Sequence, residues 1–287
     1  MLGSNDPMEK SLFGKTPGIS VSAALLALGF SSATAFAAAT ASDTAGNYLS
    51  TWSTSPPNSG SGFGAWNVNV ENAGSPPYVG TYLAGPSDTP IVDGSNVAWG
   101  TYANGSPGNG AIVFTRPFSA GPVSGSSSLY DQTFRFELGS AGVGPGQGLL
   151  SVGVGSAFLL EYDGTGADNM QLSVDGGTSV GTGVGFSQLT AGLDISLAVS
   201  GAVNSPTEAY AFTIASFSGN TTLFTQSGTF NSSTYNTSQF QYTDSNTTGN
   251  GYFNALNITA EPVPEPSTLM LAALSGLGTL FAFRGRK

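Results

Sequence analysis

The sequence contains no cysteine and no histidine, and only seven of its 287 residues are lysine or arginine. Each absence removes a class of chemistry. Without cysteine there is no disulfide framework. Without either residue there is no Cys/His zinc site, no Ser-His-Asp or Cys-His nucleophilic relay, and no haem held by His or Cys. The scarcity of bases argues against nucleic acid: residues 40–260 hold thirteen acids against Arg116 and Arg135 alone, and a body of that sign repels phosphate. Helical periodicity of ordinary length is missing as well.

Short runs of β-branched and aromatic residues are what the body does contain, separated by Gly, Asn, Ser and Pro. Candidate strands run over 65–71, 78–84, 96–102, 111–118, 132–138, 149–153, 157–162, 170–174, 195–199, 210–217, 222–226, 240–243 and 252–259. Alternation assigns faces: Phe134, Phe136 and Leu138 share one side of their strand, with Thr133, Arg135 and Glu137 opposite. Ile195, Leu197 and Val199 form a second inward row, and Tyr210, Phe212 and Ile214 a third. A β domain of about 220 residues is long enough for a real core. The pattern predicts an all-β fold, an antiparallel two-sheet jelly-roll sandwich over 65–260, similar in architecture to concanavalin-type legume-lectin and laminin-G domains. A β-helix is the rival, but no fixed repeat period supports it. Residues 40–64, rich in Ser, Pro and Gly, read as a flexible lead-in.

The two ends carry membrane signals. Lys10 and Lys15 precede an apolar run from Ile19 to Phe30 and an alanine-rich stretch, a pattern that reads as a secretory signal peptide over 1–39. Cleavage could follow Ala35, Ala37 or Ala39. At the other end Val263-Pro264-Glu265-Pro266-Ser267 leads into an uncharged run over 267–283 and then Arg284-Gly285-Arg286-Lys287. A helix over that run would reach roughly 25 Å, slightly short of a bilayer core of about 30 Å, a mismatch that snorkelling by Arg284, Arg286 and Lys287 tolerates. The basic tip predicts a cytoplasmic C-terminus and a body outside. The prolines keep the upstream segment extended and open to a processing enzyme.

Proline-glutamate-proline, membrane helix and basic tip, in that order over 261–287, resemble the PEP-CTERM sorting tail of exported bacterial proteins. The resemblance implies recognition and cleavage by an exosortase. It also implies export, with anchoring on the outer side of the cytoplasmic membrane before passage to the cell envelope, the surface or the medium.

Candidate chemistry in the body is sparse. Asp163, Asp168 and Asn169 bracket a glycine-rich turn and could offer hard oxygen ligands to Ca²⁺, although an Asp-Gly turn between strands needs those residues for its backbone alone. Asp175-Gly176-Gly177 is a second such turn. Glu137 and Glu161 on separate strands could flank a sugar as paired carboxylates, with Tyr162 or Trp99 as a platform. A surface ion pair between Arg135 and Glu137 is the plainer account. Large aromatics such as Trp52, Trp66 and Trp99 are more often core than ligand platform. The sequence therefore predicts a non-enzymatic, structural or adhesive exported protein without a cofactor. Its partners would be an exosortase, the membrane and extracellular polysaccharide. A carbohydrate-binding module is the alternative, and a polysaccharide hydrolase using Glu137 and Glu161 is third.

Overall fold

The computed structural model describes residues 39–71, 78–103, 110–118, 129–141, 149–163, 169–202, 206–231, 239–245 and 249–262. The expected signal helix, the sorting motif Val263 to Ser267, the membrane helix and the basic residues Arg284, Arg286 and Lys287 lie outside them. Among the described residues no helix is long and apolar enough to cross a membrane.

Strands dominate because inward positions alternate with outward ones along nearly every run, and two sheets are the way to bury all the inward rows at once. The first sheet has eight strands. Its order is β13 (Thr222–Asn231), β12 (Thr207–Ser216), β11 (Leu193–Ala202), β6 (Leu129–Ala141), β15 (Asn250–Pro262), β4 (Ala98–Ala103) and β3 (Val79–Ala84), with β1 (Ala39–Asp43) also paired to β15. The second sheet runs β10 (Val180–Gly181), β9 (Gln171–Val174), β8 (Phe158–Asp163), β7 (Leu149–Val154), β14 (Gln239–Ser245), β5 (Ala111–Pro117) and β2 (Asn67–Glu71). The strand pairings are antiparallel. The two short helical turns are a 3-10 turn, Ala45–Tyr48, and α1, Phe186–Thr190.

The predicted inward rows meet in the core. Leu197 pairs across from Phe134 and Phe212, and Ile195 from Phe136 and Ile214. Trp52, Trp66, Trp99, Phe114, Tyr242 and Phe253 form a ring cluster between the sheets; Tyr242 stacks on Phe253 at 4.3 Å and Trp52 on Phe114 at 5.2 Å. Such pairs each add about 0.5–1.5 kcal/mol beyond the area they bury. Gly251 makes this possible beside Tyr242, because a Cβ there would occupy the space of the phenol oxygen.

Two local features bear on the sites. The turn Val174-Asp175-Gly176-Gly177 closes with a Gly177 N–H to Val174 C=O bond of 2.9 Å and has Asp175 at φ 54° and Gly176 at φ 66°. That is the left-handed pair of a hairpin turn whose twist matches its strands. In β15 the register shifts between Asn254 and Asn257, with Ala255 at φ 52°. This bulge divides one edge of β15 between two partners: β4 pairs with its first residues, Asn250 to Phe253, and β1 with Leu256 to Ala260.

The segment 40–64, expected as a flexible lead-in, is corrected by the structure. It supplies β1, which is hydrogen-bonded into the first sheet, and Asp43, Ala45 and Tyr48, which are fully buried. The sandwich accordingly begins at Ala39 rather than at residue 65. Chain entry and exit also lie side by side, since Ala39 pairs with Ala260 and β15 ends at Pro262.

Candidate functional site

Two buried polar clamps join the sheets. In the first, Asp43 at the end of β1 forms an ion pair with Arg116 of β5, and both side chains are wholly excluded from solvent. The Asp43 carboxylate also accepts from the Tyr48 hydroxyl (2.7 Å), the Asn47 amide (2.6 Å) and the Thr44 N–H (3.0 Å). Arg116 donates to the carbonyls of Gly64 (2.9 Å) and Ser59 (2.5 Å) and to Asn58 Oδ1 (3.0 Å). Its guanidinium lies 4.9 Å from the Phe63 ring centre and 4.8 Å from that of Trp66. Trp66 in turn donates its indole N–H to the Tyr48 oxygen (3.0 Å). Burial lowers the Arg116 pKa to about 10, which leaves it cationic at neutral pH, and burial raises that of Tyr48. The pair is thus charged and its hydrogen-bonding groups are engaged, which makes it a fastening and not a reactive centre.

In the second clamp the Thr101 hydroxyl of β4 donates to the Asp244 carboxylate of β14 (2.8 Å) and lies 2.9 Å from the Tyr242 hydroxyl. Thr101 has one proton, spent on Asp244, so Tyr242 donates to Thr101. Burial first, and the Asp244 charge second, raise the Tyr242 pKa and keep it a donor. Asn254 at the bulge makes a further tie. Its Oδ1 accepts from the Ala45 N–H (3.0 Å), and its amide donates to the carbonyls of Ile91 (2.9 Å) and Val97 (3.0 Å). The loop between β3 and β4 is thereby pinned over the outer face of the first sheet.

The structure does not bring the two candidate catalytic carboxylates together. Glu137 alternates with the core residues Phe136 and Leu138, and Glu161 with Leu160 and Tyr162. They therefore point outward from different sheets, with a core about 10 Å thick between them. The proposed platform residues Tyr162 and Trp99 are fully buried. Nor do Arg135 and Glu137 form the surface pair expected: among the described residues the ion pair is Asp43–Arg116. Glu137 lies instead beneath the β3–β4 loop, opposite Asp194 and Asn254, with its Oε2 buried and without a hydrogen-bond partner. Burial, reinforced by the charges of Asp194 and Asp93, pushes its pKa up to about 7. Burial and then Asp163 raise that of Glu161.

Of the calcium candidates, Asp163 is exposed at the end of β8 and Asp168 lies outside the described residues. Asn169 Oδ1 accepts from the Gly183 N–H (2.7 Å) and the Thr182 hydroxyl (3.4 Å), so this oxygen is committed to the turn between β10 and α1. Among the described residues no three acidic side chains gather as a metal-binding group. The large exposed apolar side chains among them are Leu49 and Val180, neither aromatic. A shallow depression of about 360 Å³ on the outer face of the first sheet is lined by small residues including Thr133, Ala198, Ser200 and Ala209.

The clamp residues were not singled out from the sequence. A signal existed for one of them: Arg116 is in phase with Ile112 and Phe114, the inward positions of β5.

Comparison with known proteins places the tail. Residues 262–287 match the PEP-CTERM protein-sorting motif. No curated protein matches the chain in sequence. Among solved structures, the metal-free lectin I-B4 of Griffonia simplicifolia is similar at TM-score 0.39 and 11% identity, covering 77% of this chain and 99% of that one. A Bauhinia forficata lectin in complex with GalNAc is similar at TM-score 0.38 and 9% identity, over 79% of this chain and 100% of its own. Peanut lectin with a bound nine-residue peptide gives TM-score 0.36 and 12% identity, over 78% and 100%. The sorting motif starts at the residue where β15 ends, so the tail continues directly from a central strand of the first sheet. It implies an exported protein, processed by an exosortase and anchored through its C-terminal tail.

Proposed function

We propose that the protein is a structural or adhesive component of the cell envelope or of an extracellular polysaccharide matrix. It is held on the outer side of the cytoplasmic membrane by residues 267–283 until an exosortase-type enzyme processes the tail near Pro264-Glu265-Pro266. The observation that carries this reading is the sorting motif over 262–287. The body supports it in two ways. Its buried polar groups serve as fastenings between the sheets, as expected of a part that bears load. Its candidate catalytic carboxylates, Glu137 and Glu161, lie on opposite outer faces, which favours a non-enzymatic role.

Intact mass of the envelope-associated protein tests the tail. Loss of the residues beyond the Pro264-Glu265-Pro266 region is expected; retention of Arg284 to Lys287 in every mature copy would reduce the tail to a simple anchor. Stacking of a sugar on tryptophan does not support the carbohydrate-binding alternative, since Trp66 and Trp99 are in the core and Trp52 packs against it. Selective retention of one glycan class on an array of matrix polysaccharides would favour that alternative.

A further inference from the structure

β13 ends the first sheet. It pairs with β12 along one side, and among the described residues no strand pairs with its other side. Long bare edges usually carry a charge, a proline or a bulge that blocks further pairing. β13 is ten residues, Thr222 to Asn231, with no charge and no proline, and its register shift lies at the Thr222 end. The second sheet ends otherwise, in the two-residue β10 and in β2, which carries Glu71.

The direction of the bare groups follows from one contact. The Asn231 N–H donates to the Asp175 carboxylate (2.7 Å) and so points away from β12. Hydrogen-bonding direction alternates along an antiparallel strand. The N–H and C=O groups of Thr225, Ser227 and Thr229 therefore point outward, and Asp175 closes the edge at Asn231. The side chains of Thr225, Ser227 and Thr229 are exposed as well.

The sequence here is nearly palindromic: Phe224-Thr225-Gln226-Ser227-Gly228-Thr229-Phe230. We infer that β13 pairs antiparallel with β13 of a second copy of this chain, about a two-fold axis through Ser227, joining two first sheets into one. In that register Ser227 meets Ser227 and Thr225 meets Thr229, each pair exchanging two backbone hydrogen bonds. Phe224 meets Phe230 at the close, non-hydrogen-bonded positions. Thr–Thr and aromatic pairs are favoured cross-strand neighbours, and a two-fold contact must be self-complementary, as this one is. The pairing is permitted despite the chain's net charge of −10 because no charged residue of β13 would face its copy. Antiparallel joining leaves the Pro262 ends of the two copies at opposite ends of the shared sheet. The inference stands on the strand itself and does not depend on the proposed role.

The chain's lack of cysteine gives a direct test. In the full chain, purified in mild detergent, Ser227→Cys places one thiol on the axis, and oxidation should link it to its copy. Asn69→Cys, exposed on β2, should stay unlinked. Sedimentation equilibrium should return a dimer for the unaltered chain. Ser227→Lys, which sets two like charges opposite each other, should raise the dissociation constant about ten-fold or more, while its melting temperature in dilute solution, where both proteins are monomers, should match that of the unaltered chain. A monomer at every concentration reached overturns the inference, as does a dimer indifferent to Ser227→Lys, the outcome expected if the C-terminal segments alone held the copies together. Where the lysine variant fails to fold, equal linking of the two cysteine variants is equally fatal.

Discussion

Replacing Glu137 by glutamine isolates one half-buried carboxyl, whose Oε2 is out of contact with solvent, and makes the stability of the sandwich report on it. The side chain lies under the β3–β4 loop, its Oε2 without a partner, and burial with help from Asp194 and Asp93 raises its pKa from 4.5 to about 7. In the unfolded chain the group ionises near its ordinary value, so folding takes up a proton between these two limits. The sign follows: the carboxyl's contribution is present in full below about pH 4.5 and is lost as pH rises through about 7. At about 1.36 kcal/mol per pH unit, the loss comes to about 3 kcal/mol. The glutamine variant is neutral throughout and nearly isosteric. It should match the unaltered protein near pH 4.5 and exceed it by about 2–3 kcal/mol at pH 8. Urea unfolding at a series of pH values measures this. Tryptophan fluorescence is a suitable probe, because Trp52, Trp66 and Trp99 share one interior cluster. Parallel pH profiles for the two proteins would refute the argument, since they would mean that Glu137 is solvated in the native state.

Arg116→Met should cost about 3–5 kcal/mol in urea unfolding, because it strands the Asp43 carboxylate in the interior. Asn254→Ala leaves the Ala45 N–H and the Ile91 carbonyl unpaired, while the Val97 carbonyl keeps the Asp93 N–H (3.0 Å). A loss of about 3 kcal/mol or more is expected, with faster amide exchange confined at first to residues 45–46 and 91–97. Ala255→Gly should be neutral or stabilise by up to about 1 kcal/mol in the same assay: it relieves a left-handed backbone costing about 1–2 kcal/mol against the greater entropy of unfolded glycine. Added Ca²⁺ or chelator should leave the melting temperature unchanged, as Asn169 Oδ1 is already committed to Gly183 and Thr182.

Alternation made most strands legible, because a sheet with one buried face imposes period two on its own sequence. Boundaries were less so. Gly139-Ser140 and Ser227-Gly228 look like breakers, yet β6 and β13 run through both pairs. Here cross-strand partners set the conformation and local propensity is overridden. β1 went unread because Ala39-Thr40-Ala41-Ser42-Asp43 has no large apolar residue, and its place is decided by pairing with residues more than two hundred positions away. Glu137 was assigned to the correct face of β6 but to the wrong environment. A strand's own pattern shows which way a side chain points, and cannot show that the loop after β3 folds back to cover it. The sorting motif, by contrast, was legible from order and composition, and residues 262–287 match it.

Arg116 and Arg135 are the basic residues of the described body, and the fold buries one of them completely. A buried ion pair seldom outdoes a well-packed apolar substitute in stability, so the gain is better sought in register. β1 has little apolar surface with which to choose its alignment on β15. A slip of one residue would turn Asp43 to the other face and leave the Arg116 charge uncompensated in the core. The pair therefore selects a single alignment for the strand by which the chain enters. Because β1 lies beside the last residues of β15, the same contact fixes where the chain leaves. Entry at Ala39 and exit at Pro262 fall together, one following the predicted export signal and the other leading into the sorting tail. The free edge of β13 lies at the far side of the same sheet, five strands from β15's neighbour β1 along the pairing order. The chain thus enters and leaves side by side on β1 and β15, and the edge to which a second copy is proposed to pair lies across the sheet from them.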